Sequence, residues 1–211
     1  MFITLEGPEG SGKTSATKNV VKKLIELGYD VVQTREPGGT PIAEKIRGII
    51  LDKSNGELDP RAEALLFAAS RRQHLVEKVW PALEKGKIVI CDRYLDSSLA
   101  YQGGARGLGV ENVLNINLFA TEGTYPDLTL LFDINPVIGL ERINKNANRE
   151  VNRLDLEKIE FHNKVRETFL SLANRWPERY VIIDASKPIE EVEKDVYKIV
   201  MEKINGSRKI S

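Results

Sequence analysis

A surplus of charge of either sign is missing from this chain: Lys and Arg number 31, and Asp and Glu number 31. Proteins that hold duplex nucleic acid carry a basic excess to neutralise phosphates, so no nucleic-acid partner is expected. Cysteine is nearly absent. The single Cys91 has no partner for an internal disulfide, which suits a reducing cytosol. Long apolar runs are missing as well. Segments such as Val89-Ile90-Cys91 fall far short of the ~20 residues that cross a bilayer. The opening Met1-Phe2-Ile3-Thr4-Leu5 has neither the positive region nor the length of a signal peptide. A cytoplasmic protein without a membrane partner is the expectation. No internal repeat or low-complexity segment interrupts the 211 residues, a length suited to one domain with its own core.

What is present is alternation. Short β-rich runs at Phe2 to Glu6, Asp30 to Thr34, Lys87 to Cys91, Leu128 to Asp133 and Tyr180 to Asp184 are each followed by a helical pattern or a breaker. The first helix is expected from about Lys13 to Leu27, with Gly28 closing it. Pro37-Gly38-Gly39 breaks the chain after the second run. A long helix is expected from Pro60, capped by Asp59, towards Trp80-Pro81. Nearly all-apolar strands alternating with helices predict an α/β fold: a parallel five-stranded sheet with helices on both faces. Ligands of such sheets bind beyond the carboxyl ends of the strands, so the chemistry is sought there.

Directly after the first strand stands Gly7-Pro8-Glu9-Gly10-Ser11-Gly12-Lys13-Thr14, which fits G-x-x-x-x-G-K-[ST]. Glycines let the backbone wrap a phosphate with N–H groups pointing inwards, and the helix starting near Lys13 turns its positive end to the same anion. Lys13 suits the β- and γ-phosphates of ATP, and the Thr14 hydroxyl suits Mg²⁺. The rival reading, an ordinary glycine turn before a helix, is weakened by the strand ahead of it and the helix behind it.

The segment Asp92-Arg93-Tyr94-Leu95-Asp96-Ser97-Ser98-Leu99-Ala100-Tyr101-Gln102 follows the third strand. Asp92 can hold Mg²⁺ through water, and the planar fork of Arg93 can clamp phosphate oxygens. Ser97, Ser98 and Gln102 can offer hydrogen bonds to a base. A helix start carrying surface polar residues remains the plainer alternative. Many motor ATPases place a Glu after the strand-end Asp to activate water; here Arg93 takes that place, which favours transfer to an anionic acceptor. The nearest approach to the guanine motif Asn-Lys-x-Asp is Asn144-Lys145-Asn146-Ala147, which lacks the carboxylate.

With Arg35-Glu36-Pro37-Gly38-Gly39-Thr40 after the second strand, these motifs make the chain resemble the thymidylate kinases, their bacterial branch most closely, from Phe2 to about Ile204. The resemblance implies a P-loop NTPase-type fold, one domain over 1–211 with a small mobile lid at about 141–155, and phosphorylation of dTMP to dTDP by ATP with Mg²⁺. It places dTMP between the Glu36-Pro37 turn and the Asp92-Arg93-Tyr94 segment. Phe67 would stack on thymine. Arg71, one turn further along the same helix face, would meet its carbonyl edge, although Phe67 as a core residue and Arg71 as a surface cation is the bland reading. Ser98 and Gln102 would meet the thymine edge, Tyr101 the sugar 2′ position, and Arg47 and Arg93 the dTMP phosphate. Glu9 would face the acceptor sugar or the metal. The phosphate loop carries no Arg, so the lid would supply one, Arg153 first and Arg149 second, with Arg142 also near ATP. Adenine would lie against Asp184-Ala185-Ser186-Lys187-Pro188. A homodimer is implied through the apolar helix after the Asp-Arg-Tyr segment and the long helix before it. Rival functions are a kinase for uridylate or deoxycytidylate, a nucleotide-controlled switch, and a nucleic-acid-dependent ATPase.

Overall fold

The computed structural model describes residues 1–145 and 152–208. Five parallel strands form one sheet: β1 Phe2–Glu6, β2 Val31–Arg35, β3 Ile88–Asp92, β4 Leu128–Asp133 and β5 Tyr180–Asp184. Their order is β2-β3-β1-β4-β5. Ile3 faces Ile90 on one side and Leu128 on the other. The three inner strands are buried almost throughout, because helices cover both faces and leave no side of the pleat in water. β5 departs from expectation. Its apolar run reads as a buried strand, yet it is the sheet edge and leaves Ile182 about half exposed.

Successive residues of β1 feed opposite cores. Ile3 and Leu5 pack with α1 (Lys13–Glu26) and α9 (Ile189–Arg208). Phe2 turns the other way, into the core built by α3 (Pro60–His74), α6 (Val110–Thr121) and α8 (Ile159–Arg175). α1 ends as expected: Leu27 caps it, and Gly28, at φ 84°, returns its N–H to Ile25 O. α2 (Pro41–Leu51) lies in a stretch read only as following a breaker; Pro41 starts it at a position where a missing N–H is harmless. Asp59 caps α3 by accepting the N–H groups of Arg61 and Ala62 at 2.9 and 3.0 Å.

That long helix does not stop at Pro81. A π-helical turn at Leu75–Val79 leads into α4 (Trp80–Glu84), where Pro81 sits in the first turn and needs no donor. A second π-turn, Leu99–Ala105, follows the short α5 (Leu95–Ser98). α7 (Pro136–Lys145) leads towards the expected lid. After it, Asn152 caps a 3₁₀ turn at Arg153–Leu156, exchanging backbone and side-chain hydrogen bonds with Asp155.

Candidate active site

β1 lies at the point where the strand order reverses, between β3 and β4, and the groove that such a point opens is a binding place. A cavity of about 1200 Å³ occupies it. Its floor is the phosphate loop, which seats closely on the neighbouring helix. A Cβ on Gly10 would stand 2.0 Å from Gly139 O of α7, so a larger residue cannot be held there. The Lys13 ammonium is buried inside the loop and donates to Gly7 O at 2.8 Å, Pro8 O at 2.7 Å and Ser11 Oγ at 3.0 Å. Arg93 donates to the same Gly7 O at 3.1 Å. Two cations thus converge on one carbonyl. Burial first, and the Arg93 charge second, pull the Lys13 ammonium down to about 7 against the neighbouring carboxylates. Thr14 Oγ1 donates to Asp92 Oδ2 at 2.9 Å, which joins the two expected metal-holding groups.

Arg93 is a non-glycine residue at φ 70°, a conformation that sterics disfavour by roughly 1–2 kcal/mol. The neighbouring backbone is held by a residue that the motif reading passed over. Glu6, fully buried at the end of β1, accepts the Tyr94 N–H at 2.7 Å and the Ser97 hydroxyl at 2.5 Å. Burial, and then the charge of Asp96, push its carboxyl up to about 8. A carboxylate closing an apolar strand just ahead of a phosphate loop was the available signal. Glu9 turns towards the acceptor side. Its Oε1 accepts from Tyr101 Oη at 2.6 Å and from Arg93 at 3.0 Å, and His162 Nδ1 stands 3.5 Å from Oε2. Burial pushes the Glu9 carboxyl up, but Arg93, with His162, Lys13 and Tyr101, outweighs it and holds the group below the ordinary carboxylate range. His162 was also missed, although it is one of only two histidines in the chain and is buried.

The far end of the cavity is lined by Glu36, Pro37, Arg47, Phe67, Ser97, Tyr101 and Gln102. Gly39 makes the turn above them possible: at φ 91°, a Cβ there would meet the His74 ring at 2.8 Å and Arg35 O at 2.9 Å. Arg47 donates to Pro37 O at 3.0 Å. Behind this lining sits Arg71, 1% exposed. It donates to Glu36 at 2.8 Å, Ser98 Oγ at 3.0 Å, Tyr94 O at 2.9 Å and Asn117 Oδ1. Glu36 also meets His74 at 2.9 Å. Arg71 and Ser98 therefore belong to a buried network behind the wall and not to its lining, and the bland reading of Arg71 as a surface cation fails.

Of the ATP-side residues, Glu9, Gly10, Ser11, Gly12, Lys13, Thr14 and Arg142 line the cavity, while Gly7 and Pro8 lie beneath it. Arg142 donates to Ala185 O and Ser186 O, at 2.8 and 3.2 Å, in the turn where adenine is expected. Arg153 is placed elsewhere. Its guanidinium is buried against Ile50 O and Glu63, away from the phosphate loop. Arg149 lies outside the described residues. Among the described residues no group of three or more His, Cys, Asp or Glu forms a metal cage. The paired oxygens of Thr14 and Asp92 fit a hard cation that keeps most of its shell on phosphate and water.

A family model described as thymidylate kinase matches residues 5–196. The chain is 56% identical over 205 residues to the thymidylate kinase of Geobacillus sp. (strain WCH70), covering 97% of this chain and 98% of that one. It is equally identical over 195 residues to that of Clostridium novyi (strain NT), covering 92% and 95%. A crystal structure of thymidylate kinase from Ehrlichia chaffeensis superposes with a TM-score of 0.78 at 34% identity, covering 95% of this chain and 98% of that one.

Proposed function

Because the chain belongs to the thymidylate kinase family, we infer that it phosphorylates dTMP to dTDP with ATP as donor. The observation that carries the reaction class is the meeting of Lys13 and Arg93 on Gly7 O. A buried ammonium and a partly exposed guanidinium aimed at one point call for an anion beside them. We assign that place to the phosphoryl group in transit, with the P-loop amides and Lys13 on the ATP side and Arg93 on the acceptor side.

In this reading an oxygen of the dTMP phosphate attacks the γ-phosphorus in line. A P–O bond forms on the acceptor, and the bond to the β–γ bridging oxygen breaks, releasing ADP. The attacking oxygen is already anionic near neutral pH, so no strong base is required. The protein contributes position and opposing charge. Glu9 and Tyr101 keep the Arg93 guanidinium oriented. Thr14 and Asp92 would hold Mg²⁺, which neutralises phosphate charge when bound. Phe67 and Gln102 form the base end, and Arg142 the adenine end. Arg71 and Ser98 act on the base through Glu36 and the wall they hold. The lid at about 141–155 closes over the phosphates and excludes water; for Arg153 to join them it must first leave Glu63.

Among the described residues no helix is long and apolar enough to cross a membrane, and a cytoplasmic setting is proposed. A homodimer is proposed across α3 and α6, where Leu65 is 56% exposed and Phe119 is 91% exposed.

A coupled ADP-release assay with ATP·Mg²⁺ and dTMP, dUMP, UMP, CMP, dCMP, AMP and GMP tests the reaction. Strong preference for dTMP is expected. Preference for another monophosphate would keep the kinase and remove the base assignment; silence on all of them would favour the switch.

A further inference from the structure

Two groups meet at the base end: the fully buried carboxylate of Glu63, and Gln102 Oε1, a buried acceptor with no donor among the described residues. They meet through one amide. Glu63, on α3, receives Gln102 Nε2 at 2.8 Å. It also receives Arg106 at 3.3 and 3.4 Å, and the guanidinium of Arg153. Every partner is a donor, so both carboxylate oxygens serve as acceptors. A side-chain amide in a neutral setting can turn either its nitrogen or its oxygen to a neighbour. Beside Glu63 it has one acceptable orientation, nitrogen to the carboxylate and oxygen away, because the reverse would set oxygen against oxygen and strand both N–H groups. Gln102 is 1% exposed yet borders the cavity beside Phe67. Its unpaired oxygen therefore asks for a donor from outside the protein.

Building on the acceptor pocket proposed above, we propose that Glu63 is a positioning residue for base selection: it locks the Gln102 amide so that Oε1 accepts from the acceptor base, admitting a base with an N–H on that edge. Thymine carries N3–H and satisfies it. Cytosine carries a lone pair at N3, which would face another lone pair and leave both unpaired, the kind of mismatch that discriminates strongly. Uracil carries the same N3–H as thymine, so Glu63 sorts both from cytosine and does not separate them from each other. Arg106 and Arg153 hold the carboxylate in place from two further elements, the end of the second π-turn and the 3₁₀ turn.

The test is the ratio of kcat/KM for dTMP over dCMP in two variants. Glu63→Gln keeps the volume but supplies an N–H that can donate to Gln102 Oε1, so the amide is released. The ratio is expected to fall by at least ~10-fold, mainly through a raised KM for dTMP. Glu63→Asp stays acceptor-only with a shorter reach, and its ratio is expected to stay near the wild-type value even where Tm falls. A merely structural role predicts the opposite order, with the shorter Asp more harmful than the isosteric Gln. An unchanged ratio in Glu63→Gln, or equal losses in both variants, overturns the inference while leaving a wild-type preference for dTMP intact. Wild-type enzyme inactive on dTMP would overturn the acceptor reading and this inference with it. Should Glu63→Gln not fold, wild-type enzyme and N3-methyl-dTMP decide: turnover at the dTMP rate overturns the inference, and loss of turnover by at least ~10-fold supports it.

Discussion

At the phosphate end of the cavity, one unbroken run from Gly7 to Thr14 supplies the cradle, and its charged groups are held against their own preferences. Lys13 is pulled down to about 7 and Arg93 has a positive φ; behind them, outside the cavity lining, Glu6 is pushed up to about 8. Behind the wall of the base end, residues from four separate stretches are interlocked around Arg71, while Gln102 Oε1 in the wall itself is left without a donor among the described residues. Arg71 alone satisfies Glu36, Ser98, Asn117 and Tyr94 O. Strained charge facing a cavity marks where chemistry happens. Satisfied charge behind a wall marks where shape is kept. The first kind of residue should matter more to turnover than to stability, and the second kind the reverse.

The sharpest way to break that contrast is at Lys13. Lys13→Ala is expected to lower kcat/KM by about 10⁴-fold, about 5 kcal/mol, with Tm nearly unchanged, because burial already disfavours the ammonium. ADP release and thermal melting check both halves; a large fall in Tm would erase the distinction. Arg71→Ala should do the opposite first, costing about 3–5 kcal/mol of stability as Glu36 loses its buried partner, read by urea unfolding. The same variant should weaken dTMP more than ATP by calorimetry.

A smaller effect tests Glu6. Its folded pKa of about 8 lies above the ordinary value of 4.5, so ionising it is harder in the fold than in the unfolded chain. Stability is therefore lost as pH rises from about 4.5 through about 8 and is level beyond. Glu6→Gln removes this loss: its Tm relative to wild type should rise across pH 5 to 8, and a pH-independent difference would refute the assignment. Smallest is the proton taken up at Lys13. At pH 8, above the Lys13 pKa of about 7, the side chain in the free protein is largely neutral, and phosphate favours the charged form. ATP binding should therefore absorb a fraction of a proton, seen by calorimetry in buffers of differing ionisation heat; no uptake would refute the lowered pKa.

Legibility in the sequence followed the same division. Strands Phe2–Glu6, Leu128–Asp133 and Tyr180–Asp184 stand as expected, as do the Asp59 cap and the parallel α/β architecture, since each is a local pattern. The phosphate loop is also local, and its backbone conformation follows from its glycines. What escaped depends on partners distant in the chain. The edge position of β5 is set by strand order and leaves no mark on its own apolar run. The π-turns at 75–79 and 99–105 have no signature in helical periodicity. Arg71, read at the carbonyl edge of thymine, becomes a buried hub only once Glu36 and Asn117 are brought to it from 35 and 46 residues away. Arg153 is placed in the lid by the family resemblance, since the phosphate loop carries no Arg; its docking on Glu63, 90 residues earlier, is visible only in three dimensions.

The central claim, one cavity with ATP phosphates at one end and the thymine base at the other, is tested most directly by titrating dTMP and, separately, ATP into wild-type protein and Phe67→Ala. Loss of one base–aromatic stack should weaken dTMP by roughly 1–3 kcal/mol, about 5- to 150-fold, and leave ATP affinity unchanged. Equal losses for both ligands, or a loss confined to ATP, would contradict it.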